Sequence, residues 1–411
     1  MQRYYFLLEN MYRAMIIFWL TCLVGYPRTS APEPKFADKS KLANSDIPLF
    51  LMKNICFTIR NIDCGGGTER VGLRLANALA EYGYNVWMVD YDSKHHKPFF
   101  ETHPKLKLWT ILSHGGFERK MRWHFWYGAW KLRRFLKKNK IDVVIDIDTF
   151  NANWTAKAIR GLGIKWISWD HFDYEYTKGW KRQEALQLVK QDAYALVLIT
   201  KALRKTYLEK TDFSPSFLRQ IYNPLSFEVD HALNHQGQKK VIAMGRIAPQ
   251  KGFDLLLKSW LLVEKEIKDW TLQIVCGYGD YEALEREAKE MGCKNVVCTG
   301  PTSDVPGVMK DAAIFAFSSR FEGFGLVLTE ANACSVPAVS YNCPVGPSEI
   351  VTDGVDGFLV EPENVTQFAE KLMELMKDDK LRAEMGAKAY ESSKRFAMDK
   401  ILKEWVELIE E

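Results

Sequence analysis

The sequence predicts an α/β protein with two consecutive doubly wound domains that face each other across a cleft. Three observations support this prediction. Short, nearly continuous apolar strands alternate with amphipathic helices, which is typical of parallel sheets covered on both faces. The alternation stops at a polar stretch, residues 234–238, and then starts again. The 411 residues are enough for two or three domains of about 150 residues each.

The first predicted domain begins with an apolar strand, Asn54–Ile59, which leads into a run of three glycines. A helix follows at Val71–Tyr82, where apolar residues recur at helical spacing and Gly83 provides a stop signal. The same pattern then predicts the strands Asn85–Asp90, Val143–Ile147, Ile164–Trp169 and Leu196–Thr200.

The second predicted domain repeats the alternation. Its predicted strands are Val241–Met244, Leu272–Val275, Val296–Cys298, Ile314–Phe317 and Ala338–Ser340, with helices at 254–267 and 281–291. In open parallel sheets, ligands bind at the carboxyl ends of the strands. Because the chain has two such units, the cleft between them is the predicted functional site.

Residues 1–51 differ from the rest of the chain and are predicted to be a leader and linker. The apolar run Ala14–Val24 is shorter than the roughly 18–20 residues that a membrane-spanning helix needs, and no clear signal-peptide cleavage site follows it. Three interpretations stay open: a marginal membrane anchor, a packed helix, or an upstream translation that the working protein does not need. The predicted domains are residues 52–232 and 233–395, and a C-terminal helix at 396–411 is expected to cross back to the first domain.

Composition excludes several classes of protein without selecting a function. With 47% hydrophobic and 26% charged residues, the chain is neither disordered, collagen-like nor a polytopic membrane protein. Residues 1–240 contain 37 Lys and Arg against 23 Asp and Glu, whereas residues 241–411 contain 19 against 29, so the two halves are expected to face different partners. The eight cysteines form no C-x-x-C pair, and no structural metal is expected.

A first cluster of glycines and cations follows the strand Val241–Met244. Gly245-Arg246 and Lys251-Gly252 lie between that strand and the next helix. Glycine lets a ligand approach the backbone, and two cations beside a helix N-terminus suit a diphosphate. Two solvated cations in a surface loop would produce the same sequence pattern, so this cluster needs support from elsewhere in the sequence.

A second cluster combines two carboxylates with a glycine turn, Phe321-Glu322-Gly323-Phe324-Gly325-Leu326, followed by Glu330. A strand gives way to this turn and then to a helix. Glu322 is therefore predicted at the mouth of the helix and Glu330 about two turns inside it. Carboxylates at these two depths can accept hydrogen bonds from the hydroxyls of two different sugars.

Together these clusters resemble the motifs of the family 4 glycosyltransferases, which are retaining enzymes of GT-B architecture that use nucleotide sugars. The resemblance rests on Gly245-Arg246-x4-Lys251-Gly252, the turn Gly277-Tyr278-Gly279, the E-x(7)-E block Glu322…Glu330, Gly354-x2-Gly357-Phe358-Leu359-Val360 and the early Gly65-Gly66-Gly67-x-Glu69-Arg70. These motifs run in order from about Met52 to the C-terminus. GT-B architecture implies two doubly wound, Rossmann-like domains facing each other across a cleft.

The resemblance implies roles on the donor side of that cleft. Arg246 and Lys251 would bind the donor diphosphate and stabilise the departing phosphate. Glu322 would hold hydroxyls of the transferred sugar, and Glu330 the ribose of the nucleotide. Gly245 and Gly277 belong to the same donor site, and backbone amides would come from Phe324, Gly325 and Leu326.

The resemblance also implies an acceptor side. Gly66 and Gly67 would line it close to the diphosphate, and His171 would lie near the reacting carbon, although a structural loop histidine remains an alternative. Arg246, Lys251, Glu322 and His171 are the implied catalytic residues. One departure concerns the loop after Ala338–Ser340, where many relatives have Gly-Gly-x-Pro-Glu and this chain reads Cys-Pro-Val-Gly-Pro-Ser-Glu, residues 343–349. Glu349 is kept, but the altered loop leaves the identity of the sugar open.

Two other motifs suggest different chemistry. Asp146-Ile147-Asp148 mimics the D-x-D of the metal-dependent GT-A transferases, but the other features of that fold are missing from the sequence. Gly65-Gly66-Gly67 suggests a dinucleotide fold, but no G-x-G-x-x-G follows and no acidic residue is placed to bind a ribose. Neither a metal nor a cofactor is expected. A nucleotide sugar is expected as the co-substrate.

Residues 117–140 form a predicted helix that is rich in both cations and tryptophans. Five apolar residues at helical spacing are predicted to face the core: Met121, Phe125, Ala129, Leu132 and Leu136. Tryptophan together with Lys and Arg suits the headgroup layer of an anionic membrane. The predicted membrane contacts are Trp123, Trp126, Trp130, Lys131, Arg133, Arg134 and Lys137. A packed helix with a solvated basic face fits the pattern equally well, and nothing resembles a nucleic-acid-binding module.

The sequence therefore predicts a metal-independent retaining glycosyltransferase that moves a sugar from a UDP-sugar to a saccharide. A lipid-linked acceptor in surface polysaccharide or glycolipid synthesis is expected. The expected location is cytoplasmic, peripheral on the inner face of the membrane, with an N-terminal anchor as an open alternative. Two other functions stay open: a nucleotide-sugar epimerase of the same architecture, and an inactive membrane-associated protein that binds sugar nucleotides.

Overall fold

The computed structural model of the chain describes residues 53–91, 93, 98–112, 121–175, 179–235, 237–277 and 279–411. The predicted leader, residues 1–51, and Tyr278 of the Gly277-Tyr278-Gly279 turn lie outside these ranges. The described residues form two parallel sheets, one after the other along the chain, with helices between the strands. This arrangement confirms the predicted α/β architecture of two doubly wound domains.

The first domain contains seven strands within the described ranges: β1 (Asn54–Ile59), β2 (Asn85–Asp90), β3 (Lys107–Thr110), β4 (Val143–Ile147), β5 (Lys165–Asp170), β6 (Ala195–Leu198) and β7 (Leu218–Gln220). They form one parallel sheet in the order β3-β2-β1-β4-β5-β6-β7. The helices are α1 (Gly67–Tyr82), α2 (Met121–Lys138), α3 (Ala152–Ile159), α4 (Trp180–Asp192) and α5 (Lys201–Lys210). The strand order reverses between β1 and β4, which makes the carboxyl ends of these strands the expected ligand-binding edge.

The second domain has six strands in the part of the chain that the structure describes: β8 (Lys240–Gly245), β9 (Thr271–Cys276), β10 (Val296–Thr299), β11 (Ile314–Phe317), β12 (Ala338–Tyr341) and β13 (Gly357–Val360). Their order is β10-β9-β8-β11-β12-β13, again with parallel pairing throughout. The remaining helices are α6 (Phe253–Glu266), α7 (Tyr281–Glu290), α8 (Val305–Lys310), α9 (Leu326–Ala333), α10 (Pro347–Ile350), α11 (Val365–Lys377), α12 (Asp379–Ser393) and α13 (Met398–Glu410). The switch point of this sheet lies between β8 and β11.

Every strand predicted from the sequence is present, with its ends shifted by no more than two residues. Three strands were missed, namely β3, β7 and β13, and each lies at an edge of its sheet. These strands have only three or four residues. Other strands of four residues were predicted, so length alone is not the reason. β3 and β7 contain polar residues and are mostly not buried, so they lack the apolar run by which the other strands are recognised.

The last helix, α13, packs on the first domain. The ring of Trp405 contacts that of Trp169, with centroids 4.8 Å apart. The hydroxyl of Tyr84 donates a hydrogen bond to Glu410 Oε1 at 2.7 Å. Residues of α13 and of the first sheet belong to one continuous apolar core. The two ends of the described chain are therefore held by the same domain.

Helix length bears on the question of a membrane anchor. Among the helices that the structure describes, none combines the length and the apolar composition needed to span a bilayer.

Candidate active site

The loop after β8 carries the cationic motif. Gly245 ends β8, and Lys251 closes the short helical turn Pro249–Lys251. Gly252 follows with φ of 61°, and a Cβ atom at this position would lie 2.1 Å from the carbonyl oxygen of Ser318. Ser318 Oγ donates a hydrogen bond to the carbonyl of Lys251 at 2.8 Å. Only glycine fits here, and the resulting contact fixes the loop against the end of β11.

Lys251 and Glu322 form a largely buried ion pair in this loop region. Lys251 Nζ donates to Glu322 Oε1 at 2.7 Å, and the two side chains are 15% and 9% exposed. The ammonium also lies 5.5 Å from the centroid of the Phe317 ring. A Lys ammonium has three donors, so this pair leaves Lys251 able to donate to a further acceptor such as a phosphate oxygen.

Arg246 lies at the exposed rim of the same loop. Its Nη2 donates to Gln250 Oε1 at 3.4 Å, and Gln250 in turn donates to the carbonyl of Phe321 at 3.0 Å. The amide of Gly277, directly after β9, donates to the carbonyl of Gly245 at 2.8 Å. Arg246, Lys251, Gly245 and Gly277 therefore lie together at one corner of the second sheet.

The glycine turn before α9 contacts both domains. Phe324 is buried, and Gly325 with φ of 103° directly precedes α9. A Cβ atom at Gly67 would lie 2.9 Å from Leu326 Cδ1, and one at Gly323 would lie 2.2 Å from the carbonyl oxygen of His171. The start of α9 therefore faces the glycine loop of the first domain and the loop after β5.

Glu330 lies in the second turn of α9 and is 1% exposed. Its Oε1 accepts a hydrogen bond from Arg70 Nη1 of α1 at 2.7 Å. Its Oε2 is buried and has no hydrogen-bond partner among the described residues. The carboxylate predicted to bind the ribose is thus tied to the first domain through one oxygen.

His171 follows β5 and is buried in the cleft wall. Its ring packs on Trp169, with centroids 4.4 Å apart. Burial lowers the pKa of His171 to about 4, and the neighbouring Asp170 carboxylate only partly opposes that shift. The imidazole is therefore neutral at pH 7, which suits a hydrogen-bonding role rather than a charged one.

The backbone that carries His171 is held by a buried ion pair. Arg182 Nη2 donates to both oxygens of Asp170 at 2.6 Å, and the Tyr207 hydroxyl donates to Oδ2 of Asp170, also at 2.6 Å. Because Asp170 directly precedes His171, this cluster fixes the loop that meets Gly323.

The acceptor-side glycines lie at the start of α1. Gly66 caps this helix, which begins at Gly67. A Cβ atom at Gly66 would lie 2.3 Å from Oε2 of Glu69. The absence of a side chain at Gly66 therefore leaves room for the Glu69 carboxylate close to the backbone of the loop that faces α9.

The D-x-D motif has a structural role. Asp146 is fully buried and accepts hydrogen bonds from Thr58, from Thr155 at 2.6 Å and from Trp166 at 2.9 Å. Burial raises the pKa of Asp146 to about 7, against the effect of these donors. Asp148 accepts from the amide of Phe150 at 3.0 Å. No group of three or more His, Cys, Asp or Glu side chains in the described ranges could hold a metal ion.

Helix α2 has a buried face and an exposed aromatic face. Four of the predicted core residues are buried: Phe125, Ala129, Leu132 and Leu136. Trp126 and Trp130 are 65% and 51% exposed. Arg134 stacks on Trp130, and both Arg134 and Lys137 are exposed. The side chain of Trp123 lies outside the part that the structure describes.

Two of the predicted membrane contacts are engaged within the domain instead. Lys131 Nζ donates to the carbonyl of Ile111 at 2.9 Å, and Arg133 Nη1 donates to that of Ala158 at 2.9 Å. Both side chains are partly buried, since they extend along the domain surface to reach these carbonyl groups. The exposed surface of α2 is therefore narrower than the sequence predicted.

Sequence reasoning missed Arg70, which it quoted only as part of a glycine motif. A signal for it was present in the sequence of α9, because an acid inside the apolar segment LVLTEANA needs a cation from elsewhere when it is buried. The sequence does not say which of the 56 Lys and Arg residues supplies that cation.

Comparison with known proteins gives matches over both domains. The family model "Glycosyl transferases group 1" matches residues 227–392, and "Glycosyltransferase Family 4" matches residues 65–229. An uncharacterized glycosyltransferase of Haemophilus influenzae is 31% identical over 356 residues, which are 86% of this chain and 99% of that protein. A Campylobacter jejuni protein is 26% identical over 374 residues, 88% of this chain and 99% of its own length; its name is GalNAc-alpha-(1->4)-GalNAc-alpha-(1->3)-diNAcBac-PP-undecaprenol alpha-1,4-N-acetyl-D-galactosaminyltransferase.

Solved structures give the same architecture. A mutant of S. aureus TarM, in complex with fondaparinux, alpha-GlcNAc-glycerol and UDP, aligns with a TM-score of 0.74 at 16% identity, covering 88% of this chain and 100% of that one. Anabaena Alr3699/HepE in complex with UDP-glucose aligns with a TM-score of 0.71 at 18% identity, covering 87% and 99%. At these identities the likeness shows the fold.

Proposed function

The chain belongs to the group 1 glycosyltransferases, with an N-terminal domain of glycosyltransferase family 4 and GT-B architecture, and from this membership we propose the substrates and the residue roles. The donor is a nucleotide sugar, most simply a UDP-sugar, and the acceptor is a saccharide. The sugar is transferred with retention of its anomeric configuration.

The observation that carries the donor assignment is the position of the Lys251–Glu322 ion pair. It lies at the carboxyl edge of the second sheet, beside the glycine turn that starts α9. A cation and a carboxylate 2.7 Å apart can bind the two ends of a sugar phosphate, the cation taking phosphate oxygens and the carboxylate sugar hydroxyls. UDP and UDP-glucose in the TarM and HepE structures support a uridine nucleotide as donor.

The departing nucleoside diphosphate gains negative charge as the glycosidic bond to it breaks. Lys251 and Arg246 supply positive charge at this position, and the amides at the start of α9 add the positive end of a helix dipole. Glu322 binds hydroxyls of the transferred sugar, and Glu330 the ribose. With two cations in place, a divalent metal is not required for the leaving group.

The acceptor binds on the side of the first domain, against Gly66, Gly67 and His171. A neutral His171 can accept or donate one hydrogen bond to an acceptor or donor hydroxyl without adding charge. The name of the Campylobacter relative describes an undecaprenol-linked saccharide, which supports a lipid-linked acceptor. We place the enzyme at the inner face of a membrane, with the aromatic face of α2 towards anionic lipid.

Thermal stabilisation by a panel of nucleotide sugars tests the donor proposal, because a bound ligand raises stability by mass action. A UDP-sugar is expected to raise Tm more than GDP- and ADP-sugars. With an acceptor added, free UDP is expected to accumulate, whereas an epimerase would interconvert sugars without an acceptor. A panel in which no nucleotide sugar raises Tm would contradict the proposal and favour a protein that does not use such donors.

Chelation tests the proposed independence from metals. Activity is expected to be largely unchanged in EDTA because Lys251 and Arg246 supply the charge. Complete loss in EDTA, restored by Mn²⁺, would contradict this and would direct attention to Asp146 and Asp148.

A further inference from the structure

Glu330 is held by the other domain in an asymmetric way. Arg70 Nη1 donates to Oε1 at 2.7 Å, whereas Oε2 is buried and has no partner in the part of the chain that the structure describes. Arg70 belongs to α1 of the first domain and Glu330 to α9 of the second, 260 residues later. One oxygen of this carboxylate is thus bound across the cleft, and the other is buried without a hydrogen-bond partner among the described residues.

The arginine side of this contact is itself held in place. The guanidinium of Arg70 lies 5.0 Å from the centroid of the Phe100 ring, and its side chain is 22% exposed. Planar stacking limits the orientations of the guanidinium and so fixes the direction in which Nη1 points. Arg70 is therefore arranged to hold Oε1 rather than to move freely in the cleft.

A buried carboxylate needs hydrogen-bond partners in place of the water that it loses. Glu330 is 1% exposed, so its partners must come from the protein or from a ligand. A carboxylate offers acceptor sites on both oxygens. Arg70 occupies Oε1, whereas Oε2 has no partner among the described residues.

We propose that Arg70 is a positioning residue, which holds the Glu330 carboxylate oriented so that Oε2 accepts a hydrogen bond from the ribose of the sugar donor. This inference rests on the proposed function, in which Glu330 binds the ribose. Because Arg70 and Glu330 come from different domains, the contact forms only when the domains are apposed. Ribose binding and domain apposition therefore strengthen each other, as coupled equilibria must.

The contrary interpretation is that Arg70 competes with the donor for Glu330 and must leave before the ribose binds. The two interpretations predict opposite signs. A supporting arginine makes the donor bind more tightly, whereas a competing arginine makes it bind more weakly.

The test compares UDP with its 2′,3′-dideoxy analogue, which lacks the ribose hydroxyls, by titration calorimetry on the full chain. Wild type is expected to bind UDP more tightly than the analogue. Arg70→Ala is expected to weaken UDP binding about tenfold, the effect of one charge-assisted hydrogen bond, and to leave binding of the analogue within about twofold. Arg70→Lys, which keeps the charge, is expected to recover part of the difference.

Two further variants separate this role from a structural one. Arg219→Ala breaks another Arg–Glu ion pair, with Glu411 directly after α13, and is expected to change neither titration. In a Glu330→Gln background, Arg70→Ala is expected to have no further effect on UDP binding. Unchanged binding of the dideoxy analogue by each variant also shows that the donor site is folded.

Each other outcome overturns the inference in a distinguishable way. Tighter UDP binding by Arg70→Ala would show competition. Equal weakening for UDP and the analogue would show a general structural effect. If wild type bound both nucleotides equally, Glu330 would not bind the ribose, but the assignment of the donor site would stand. If wild type bound none of UDP, GDP and ADP, the proposed function would be refuted as well.

Discussion

At the scale of single residues, two carboxylates of the cleft are paired with cations from distant parts of the sequence. Glu322 pairs with Lys251 and Glu330 with Arg70, and both carboxylates are nearly inaccessible to solvent. A buried charge without a partner is strongly unfavourable, so each cation compensates for the burial of its carboxylate. The cations are therefore part of the binding function as well as of the stability.

Loss of Lys251 is predicted to affect turnover more than folding. Lys251→Ala is expected to lower kcat about 100- to 1000-fold, because the departing diphosphate loses a preorganised donor. Arg246→Ala is expected to act in the same direction. Lys258→Ala removes an exposed lysine from α6 and is the matched control, with wild-type kcat expected. Steady-state kinetics and near-ultraviolet circular dichroism measure the two effects, and near-normal rates in both cleft variants would contradict the donor assignment.

The low pKa of His171 predicts a dependence of stability on pH. Its folded-state pKa is about 4, below the unfolded value of about 6.5, so the unfolded chain takes up a proton first as the pH falls. Stability is therefore present above pH 6.5 and is lost as the pH falls towards 4. This residue is expected to contribute about 2 kcal/mol of the loss between pH 7 and pH 5.

The measurement is urea unfolding of wild type and His171→Asn at both pH values. The variant is expected to lose less stability than wild type on acidification, because asparagine does not titrate. An equal loss in the two proteins would mean that His171 is accessible and protonates in the folded state.

At the scale of elements, the cleft is formed by loops that glycine allows to approach one another. Gly252→Ala is predicted to be much more destabilising than Gly354→Ala. Both glycines have positive φ, 61° and 70°, so each substitution carries backbone strain of about 1–2 kcal/mol. Only at Gly252 would the new Cβ also meet a backbone oxygen, that of Ser318, at 2.1 Å, whereas nothing lies within 4 Å at Gly354.

Denaturant unfolding of both variants gives the comparison, and UDP titration gives the functional consequence. Gly252→Ala is expected to weaken UDP binding because the displaced loop carries Lys251. If the two variants lost equal stability, the close contact with Ser318 would contribute nothing to the destabilisation of Gly252→Ala.

Helix α2 is predicted to bind anionic membranes through its exposed face. Arg134, Lys137 and Lys138 are all exposed on the last two turns of α2. Replacing these three residues by Gln is expected to weaken binding to anionic vesicles on the order of 100-fold, at about 1 kcal/mol per basic residue. The matched control replaces three lysines elsewhere, Lys205, Lys289 and Lys380, which are 77%, 65% and 87% exposed. It has the same net charge as the α2 variant and is expected to bind like wild type.

Co-sedimentation with vesicles at two salt concentrations makes this measurement. Salt is expected to weaken wild-type binding more than that of the α2 variant, because exposed charges are screened. Equal binding by the α2 variant and the control would favour the alternative, in which α2 has a solvated basic face that does not bind membranes.

At the scale of the whole molecule, the altered loop of residues 343–349 has a role in joining the domains. Glu349 of α10 accepts hydrogen bonds from the amides of Lys201 and Ala202 at 2.8 and 2.7 Å, and from the Tyr222 hydroxyl at 2.9 Å. A carboxylate of the second domain thus caps helix α5 of the first. An acid at a helix N-terminus also interacts favourably with the helix dipole.

Glu349→Ala is predicted to loosen the contact between the domains. The expected loss of stability is about 1–2 kcal/mol, as for other N-cap substitutions, together with an increased radius of gyration in small-angle X-ray scattering. Asp378→Ala is the matched control, because Asp378 caps α12 within its own domain by accepting from Leu381 at 2.9 Å. It is expected to lose stability without a change in size. Equal sizes for both variants would show that the domains stay apposed without Glu349.

The sequence by itself determined the architecture and indicated which motifs could share the cleft. Apolar periodicity identifies ten of the strands because most of the residues in these strands are buried, and buried strand residues are mostly apolar. Glycines of the predicted motifs, such as Gly252 and Gly323, mark where backbones approach one another. Because parallel strands direct all their carboxyl ends to one edge, the motifs that follow them could be expected to share one cleft.

Only the tertiary structure decided which side chains meet. Lys251 and Glu322 are 71 residues apart in the sequence, and Arg70 and Glu330 are 260 apart. The same limit applies to α2, where the sequence shows seven membrane-facing candidates but cannot show that Lys131 and Arg133 bind backbone carbonyls. Local periodicity records whether a residue is buried, but the partner of a buried charge is set by how distant elements pack, and that information belongs to no single segment.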